Sequence, residues 1–450
     1  MKQLDSSKKT ENNNEYKNLF KNSIYSFLHN FSGIFFQIII PFLIARLITI
    51  ESWGVLILSM SFITLVAVIT NYFPPALEYS IIYYVPRFIS LEENKKLRSF
   101  IKSVIILKFL FLLFFYFCFL FLFFIIIEKI WTNSTLIFIL SPLIIFSGFN
   151  TIFYSILRGF NRFKPIFLIF LFSSFFKISL LFLMFSELIT VKIEYIAFIY
   201  VINEIIQFLV CLICIFNIVR KLTKEEGFDK KIPLKEIFKM TSKYGFPISF
   251  GYLVYGLWDQ IQIQGIGLFS PIENVTGYNI SQSYSKNLTS LYSSLSTPLI
   301  RSFTTLNVSN QSEKIKKIYN LVIKLKLFFL SIMVGIFFYL SDFFLLFVYG
   351  SDYGNFSIFL KLMLISVIFN VIQTPADALV LAKNKQFYIA IIRLIMAGIY
   401  ASLFFLFLIF FGIIGSFFAL IFSNILIFII YFILSYKLLV IEIDLKKLIF

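Results

Sequence analysis

Residues that bind metals or form disulfide bonds are scarce in this sequence. It contains one His and three Cys among 450 residues. Cys211 and Cys214 have the C-x-x-C spacing of redox and metal sites, but they lie inside the apolar run 208–218, where packing is the simpler interpretation. The sequence has no Gly-Lys-Ser/Thr phosphate-binding loop. We therefore expect no metal centre, no cofactor, no ATP hydrolysis and no enzymatic activity of that kind.

Charged residues are scarce as well. Only 14% of the residues are charged, against about 25% in a typical soluble domain, whereas 59% are hydrophobic. The mean hydropathy is +0.90, and a water-soluble fold of this length could not bury so much apolar surface. The net charge of +17 does not indicate nucleic-acid binding, because the basic residues occupy short gaps between apolar runs. We predict a polytopic integral membrane protein.

Twelve segments are long enough to cross a bilayer as helices. A hydrocarbon core of about 30 Å requires about 20 helical residues. The predicted helices, numbered 1 to 12 in chain order, span 23–46, 54–77, 101–127, 135–157, 165–186, 194–218, 244–268, 278–303, 320–341, 356–382, 387–410 and 413–436. The predicted fold class is all-α, with about 12 transmembrane helices.

The longest polar loop divides these helices into two groups of six. We predict a polar, mobile cytoplasmic tail at 1–22, an N-lobe at 23–218, a cytoplasmic connecting loop at 219–243, a C-lobe at 244–436 and a cytoplasmic tail at 437–450. The sequence IESWGV after helix 1 resembles IENVTGY after helix 7. Internal repeats of this kind are common in transporters, whose two halves enclose a central cavity.

Basic residues fall on one side of the predicted topology. With the N-terminus in the cytoplasm, the inner tails and loops hold 29 Lys and Arg residues, and the outer loops hold Arg46, Lys129 and Lys192. Positive charge accumulates on cytoplasmic loops, and the loss of one helix would invert every later loop. We predict a multi-pass protein of the cell membrane with both termini in the cytoplasm.

Predicted helix 8 is unusually polar. Residues 278–298 read YNISQSYSKNLTSLYSSLSTP, yet the basic segments before helix 7 and after helix 8 both belong inside. The chain must therefore cross the membrane in this stretch. Because a helix this polar cannot face lipid, we predict that it lines water or a substrate.

Polar stripes also mark helices 1 and 7, since residues three or four apart share a helix face. Helix 2 is broken near Pro74 and Pro75, which are followed by Glu78, whereas helix 3 is almost featureless and is expected to face lipid. The stripes comprise Gln282, Lys286, Thr289, Ser293 and Ser296 with Asn279 in helix 8; Tyr252, Tyr255, Asp259 and Gln262 in helix 7; and Ser26, Asn30, Gly33, Gln37 and Pro41 with His29 in helix 1.

Five charged residues lie deep in predicted helices: Lys177, Glu204, Asp259, Lys286 and Arg393. Each costs about 2.5–3.5 kcal/mol at mid-helix, so a functional role is the first hypothesis. Two structural alternatives remain open. Long basic side chains near a helix end extend to the interface, which applies to Arg393, Lys108 and Lys361. Alternatively, two charges form a structural ion pair, such as Asp259 with Lys286.

Two halves, short loops and a polar interior are typical of a secondary transporter. A membrane glycan polymerase or ligase would be an enzyme and usually has a large outer loop that carries catalytic acids. The longest outer segment here, about 341–355, is short, and the outer loops cluster no carboxylates. A channel is the third class, but no segment repeats in the manner of a selectivity filter.

A series of short motifs occurs in an order that resembles one transporter family. The motifs are Asp259, Gly277-Tyr278, Pro298, a Lys-rich start of helix 9, Tyr349-Gly350 with Tyr353, Ala382-Lys-Asn-Lys385, Phe411-Gly-Ile-Ile-Gly415, ARLITIESWG at 45–54 and Arg158-Gly-Phe-Asn-Arg-Phe163. Over about 20–436 the chain resembles the polysaccharide flippases of the multidrug, oligosaccharidyl-lipid and polysaccharide (MOP) exporter superfamily.

The resemblance implies that an undecaprenyl- or dolichyl-linked oligosaccharide is moved from the inner to the outer leaflet. Its partners would be the lipid-linked oligosaccharide, membrane lipid, a coupling cation (H⁺ or Na⁺) and glycan-assembly enzymes. An ion-coupled drug or metabolite exporter of the same superfamily is the alternative. The deep charges are three basic and two acidic, which favours an anionic substrate.

Candidate residues can be assigned to two roles. Hydroxyl and amide groups suit sugars, and lysines can hold phosphate as point charges. Expected substrate-binding residues are Lys286, Lys177, Gln282, Gln262, Asn30 and Gln37. Expected residues for ion coupling or gating are Asp259, Glu204 and Glu78.

Overall fold

The computed structural model describes residues 2–448 except 73–76, 132, 186–190, 223–232, 294–298, 301, 304–305, 308–310 and 384. The regular elements of this part are helices. They are α1 (Lys2–Leu47), α2 (Ile50–Tyr72), α3 (Leu77–Ser90), α4 (Asn94–Leu122, continued by a π-helix at Phe123–Ile127), α5 (Glu128–Ile130), α6 (Ser134–Leu140), α7 (Leu143–Gly159), α8 (Phe163–Leu183), α9 (Ile193–Leu222), α10 (Leu234–Phe269), α11 (Ile272–Ser293), α12 (Ser312–Tyr349), a 3-10 helix (Ser351–Phe356), α13 (Ser357–Phe369), a second 3-10 helix (Asn370–Ile372), α14 (Gln373–Ala382) and α15 (Gln386–Leu448).

Nine helical stretches in the described residues are long and apolar enough to cross a membrane. One of them, Phe387–Leu439, has 53 residues, which would make a straight helix of about 80 Å, far longer than a hydrocarbon core of about 30 Å. Within it, Gly412 has φ 63° and ψ −156°, which are not helical values. Two helices therefore meet at Gly412, between predicted helices 11 and 12.

Predicted helices 7 and 8 correspond to α10 and α11. These helices have 36 and 22 residues, so they are long enough to cross a bilayer, but they are not among the nine apolar stretches. The all-α, multi-pass membrane fold predicted from the sequence is confirmed. The number of twelve transmembrane helices stays a prediction.

Two loop predictions differ from the structure. The tail at 1–22 was expected to be a separate polar segment, but α1 begins at Lys2 and includes residues 2–22; the predicted mobility of the tail stays a prediction. The connecting loop was expected to span 219–243, but α9 continues to Leu222 and α10 already begins at Leu234. Both differences have the same cause. The bounds were estimated from apolar runs, and α1, α9 and α10 continue past these runs into polar sequence.

Contacts within the chain divide it into two units. The first comprises Met1–Ile40 and Val66–Phe246, and the second comprises Pro41–Leu65 and Pro247–Phe450. The segment Pro41–Leu65, which the sequence-based division placed in the N-lobe, thus packs within the second unit. Two hydrogen bonds help to hold it there: the Gln264 side chain donates to the Leu58 carbonyl (2.8 Å), and the Ser61 hydroxyl donates to the Gln260 carbonyl (3.2 Å).

The apolar helix α4 has the exposure pattern of a lipid-facing element. Its Phe114, Phe117 and Phe121 are 63–67% exposed in the isolated chain. The opposite face of α4 is buried in the core of the first unit, where Phe100 and Val104 contact α3 and α7. A helix with one apolar face in the core and another in contact with lipid needs no polar stripe, as its sequence predicted.

Candidate functional site

The polar helix α11 has one buried face and one open face. On the buried face, the Tyr278 ring packs against Phe417 at a centroid distance of 5.6 Å, and the Tyr284 hydroxyl is 2.7 Å from that of Tyr349. On the open face, Lys286 is exposed, and Gln282 and Thr289 are half-buried. The stripe of Gln282, Lys286 and Thr289 is therefore accessible within the second unit. Ser296 and Pro298, and the side chains of Ser293, Tyr252 and Tyr255, lie outside the described residues.

An ion pair links this open face to α10. The Lys286 ammonium donates to Asp259 Oδ2 at 3.0 Å, and the two side chains are 49% and 21% exposed. The structural ion pair that the sequence left open is thus present. An exposed ion pair of this kind contributes little to stability. Stabilisation alone therefore does not explain why α10 and α11 each carry a charged residue here. Both side chains are accessible, so a charged ligand could replace either one as the partner of the other.

Gln262 was expected to bind substrate but is only 3% exposed. Its amide oxygen accepts hydrogen bonds from the hydroxyls of Tyr278 and Tyr400. These bonds tie α10 to α11 and α15. In this conformation Gln262 packs against the buried face of α11, and its side chain is not accessible to a substrate.

Lys177 and Glu204 lie together inside the first unit. The Lys177 ammonium is 3.2 Å from the centre of the Tyr200 ring, a cation–π contact, and interacts electrostatically with Glu204. The Glu204 carboxylate also accepts a hydrogen bond from the Asn150 side chain at 2.7 Å. Because Lys177 is only 7% exposed, it is part of a buried charged cluster that joins α7, α8 and α9.

Lys108 donates hydrogen bonds to two backbone carbonyls at the end of α2. Its ammonium donates to the carbonyls of Thr70 (2.6 Å) and Asn71 (3.3 Å) at the end of α2. The residues four positions later, Pro74 and Pro75, have no N–H with which to bond these carbonyls. Lys108 is fully buried, so the expectation that it extends to the membrane interface is wrong. The structure of the two prolines lies outside the described residues.

The second unit uses the same arrangement at Lys326, which was not predicted from the sequence. Its ammonium donates to the Val371 carbonyl at 3.3 Å, and the residue four positions later is Pro375. A Lys in an apolar run, together with a Pro inside another helix, is the signal that would have identified both cases.

Glu78, a candidate for coupling or gating, lies near the start of α3. Its carboxylate hydrogen-bonds the Thr151 side chain and interacts electrostatically with Lys108 and Arg158. Glu78 is therefore surrounded by two cations in the first unit, and its negative charge is compensated within that unit.

Arg393 forms a half-buried charge network whose partners were not predicted from the sequence; the side chains of Arg393 and Asp377 are 19% and 17% exposed. Its guanidinium donates to Asp377 Oδ2 at 2.8 Å, and the Tyr431 hydroxyl donates to the other oxygen, Oδ1, at 2.8 Å. The network joins α14 to both parts of α15. Arg393 thus has an acidic partner on a neighbouring helix, and its extension to the membrane interface stays a prediction. Lys361 pairs with the exposed Asp342 at 2.6 Å.

The remaining candidates lie on α1. Asn30 and Gln37 are both exposed. Asn30 lines a cavity of about 210 Å³ within the first unit. The other residues that line it are Tyr25, Ser26, His29, Arg158, Phe163 and Ile166.

The two similar segments found in the sequence contact each other. They form the first turns of α2 and α11, which begin at Ile50 and Ile272. The Thr276 hydroxyl donates to the Ile50 carbonyl at 2.9 Å, and a methyl group at Gly54 would lie 2.5 Å from the Ile272 carbonyl oxygen. The first turns of α2 and α11 are therefore in close contact within the second unit, and the internal repeat stays a prediction.

This helical architecture occurs in solved structures of MOP-superfamily transporters. The chain is similar to a multidrug resistance MATE family transporter of that superfamily in an inward-facing conformation, with a TM-score of 0.69 and 13% identity over 95% of this chain and 96% of that chain. It is also similar to a MOP superfamily transporter from Pyrococcus furiosus, with a TM-score of 0.66 and 13% identity over 95% and 96% of the two chains. The lipid II flippase MurJ, in an inward closed conformation, gives a TM-score of 0.67 and 20% identity over 93% and 87%. At these identities the likeness establishes the fold.

The chain belongs to the polysaccharide biosynthesis protein family, whose model matches residues 19–306. This range includes α2, α10 and the polar helix α11. No curated protein is significantly similar to the sequence. The resemblance to the polysaccharide flippases of the MOP superfamily is confirmed in family and in fold.

Proposed function

We propose that this protein is a secondary transporter that moves a polyprenyl-(pyro)phosphate-linked oligosaccharide from the inner to the outer leaflet for glycan biosynthesis. The observation that carries the proposal is the open polar face of α11, in a chain of the polysaccharide biosynthesis family. A polar stripe at membrane depth is costly unless it faces water or a polar ligand. An oligosaccharide needs such a surface, whereas an apolar drug does not.

In this proposal Lys286 and Asp259 act at the same place on the open face. The phosphate of the substrate would replace Asp259 as the partner of the Lys286 ammonium, and Gln282 would hydrogen-bond sugar hydroxyls. The released Asp259 carboxylate would then take up a coupling cation, H⁺ or Na⁺. The substrate phosphate and the Asp259 carboxylate would thus compete for the Lys286 ammonium. This competition would couple substrate binding to cation binding without a large rearrangement of the site.

The other candidates have supporting roles in the proposed cycle. Asn30 and Gln37 would offer amide groups to the substrate from α1. Glu204 and Glu78 would take part in ion coupling or gating in the first unit, where Glu204 interacts with Lys177 and Glu78 with Lys108 and Arg158. The protein would lie in the cell membrane with both termini in the cytoplasm, where glycan-assembly enzymes supply the substrate.

Replacement of Lys286 tests this function in a strain that lacks its own flippase. We expect Lys286→Ala to reduce surface glycan about tenfold or more, since a hydrogen bond to a charged group contributes about 1.5–3 kcal/mol. Lys286→Arg should keep part of the activity. The measurement is surface glycan per cell, normalised to the amount of protein in the membrane.

Lys361→Ala is the matched control, because Lys361 also pairs with an Asp at 2.6 Å but lies outside the α11 stripe. Equal export by Lys286→Ala and Lys361→Ala would contradict the role of Lys286. An Asp259→Asn variant whose export still depends on the ion gradient would remove Asp259 from the coupling step.

A further inference from the structure

The cavity beside Arg158 is built from three helices of the first unit. Tyr25, Ser26, His29 and Asn30 come from α1, Arg158 from the last turn of α7, and Phe163 and Ile166 from the first turn of α8. Contacts between α1 and α8 hold the walls together, including an edge-on contact between the His29 and Phe170 rings at 4.8 Å.

A tight turn brings Arg158 to the start of α8. Asn161 has φ 57°, a left-handed conformation that Asn adopts more readily than most residues. The Arg162 N–H donates to the Leu157 carbonyl at 2.8 Å and closes the turn. The cavity therefore contains an arginine and lies against the first turn of a 21-residue helix, whose dipole also favours negative charge.

The polar groups of the lining are suited to an anion. Hydroxyl, imidazole, amide and guanidinium groups all donate hydrogen bonds, and the lining includes no carboxylate. Arg158 makes no ion pair with a carboxylate of the described residues, although the field of Glu78 reaches it. Lys286 and Arg393, by contrast, each have an aspartate partner within 3.0 Å. His29 Nδ1 is buried without a hydrogen-bond partner in the described part of the chain.

The volume of the cavity limits the size of its ligand. At about 210 Å³, it is smaller than the roughly 300–1,000 Å³ of pockets that enclose drug-sized molecules. That space suits a phosphate or diphosphate group.

We propose that this cavity, the Arg158 pocket, binds the phosphate or diphosphate group of a membrane lipid and docks the lipid-linked substrate before transport. The identification of that lipid as the substrate rests on the proposed function. Arg158 forms bidentate hydrogen bonds to the phosphate oxygens, as guanidinium groups do, and Asn30 and His29 complete the site from α1. The glycan stays outside the pocket.

Binding of lipid phosphates to the purified full-length protein in detergent tests the proposal. The probes are undecaprenyl diphosphate without sugar, phosphatidylglycerol and inorganic pyrophosphate. We expect Arg158→Ala to weaken the binding of undecaprenyl diphosphate about tenfold or more. Arg162→Ala is the matched control, because this exposed arginine lies four residues away and does not line the pocket. It should leave the affinity within about twofold of the original protein.

Comparison of the probes identifies the source of the phosphate. Tighter binding of undecaprenyl diphosphate than of phosphatidylglycerol would support docking of the substrate. If phosphatidylglycerol binds with the same affinity and its binding also depends on Arg158, the pocket is a general lipid-phosphate site, and substrate docking is overturned. Equal affinities of Arg158→Ala and Arg162→Ala, with both variants folded, would overturn the pocket. Arg158-dependent binding without any flipping by the unmodified protein would instead refute the proposed function and leave the pocket in place.

Discussion

Asp377→Ala should destabilise the protein. It leaves the Arg393 guanidinium inside the protein without its carboxylate partner, which is now 2.8 Å away. The pair is half-buried, so we expect a loss of about 1.5–3 kcal/mol, the contribution of a hydrogen bond to a charged group. The effect should appear as a large fall in the apparent Tm of the purified protein in detergent.

Three further variants separate this explanation from a general sensitivity to mutation. Tyr431→Phe removes one hydrogen bond to Asp377 and should cost only about 1 kcal/mol. Asp342→Ala is the matched carboxylate, since its pair with Lys361 is 57% exposed on the Asp side and should matter little. The double variant Asp377→Leu/Arg393→Leu removes both charges and should recover much of the loss. Equal Tm values for Asp377→Ala and Asp342→Ala would contradict the stabilising role of the Arg393–Asp377 pair.

Gly54→Ala should also destabilise the protein, by a similar amount to Asp377→Ala. The added methyl group would lie 2.5 Å from the carbonyl oxygen of Ile272, and this oxygen belongs to the backbone and cannot rotate away. The first turns of α2 and α11 would have to separate, with the loss of the hydrogen bond from Thr276 to the Ile50 carbonyl. Such overpacking costs about 1–3 kcal/mol, which should again lower the apparent Tm.

Gly335→Ala provides the control for this substitution. Gly335 is also helical, but a methyl group there would meet nothing within 4 Å. Since Ala favours a helix over Gly by about 0.5–1 kcal/mol, Gly335→Ala should keep or raise the Tm. If Gly54→Ala were as stable as Gly335→Ala, the two repeated segments would not be in close contact.

The positions of the helices could be predicted from the sequence because they depend on local composition. Long apolar runs correspond to α4, α8 and α9 with errors of a few residues at most ends. The polar helix α11 was found only by adding the distribution of basic residues to hydropathy. The bounds of α1 and α10 could not be predicted, because both helices extend beyond the apolar stretch into polar sequence.

The partners of the charged residues could not be predicted, because they depend on contacts between distant parts of the chain. The ion pair of Asp259 with Lys286 was one of several alternatives. Asp377, the partner of Arg393, lies in a different helix, and no local pattern connects the two residues. The role of Lys108 requires knowing that α4 passes the end of α2. Gln262 shows the converse error, since helical spacing placed it in a stripe that the structure partly buries.

Direct measurement of lipid flipping in proteoliposomes tests the central claim, that this protein moves a lipid-linked oligosaccharide between leaflets. Vesicles that contain the purified protein and a lipid-linked oligosaccharide in both leaflets would be treated with a membrane-impermeant glycosidase under an imposed membrane potential or ion gradient. We predict that the whole pool of glycan becomes digestible with the original protein and that Lys286→Ala slows this strongly. Digestion that stops at the outer-leaflet pool, as in vesicles without protein, would contradict the claim.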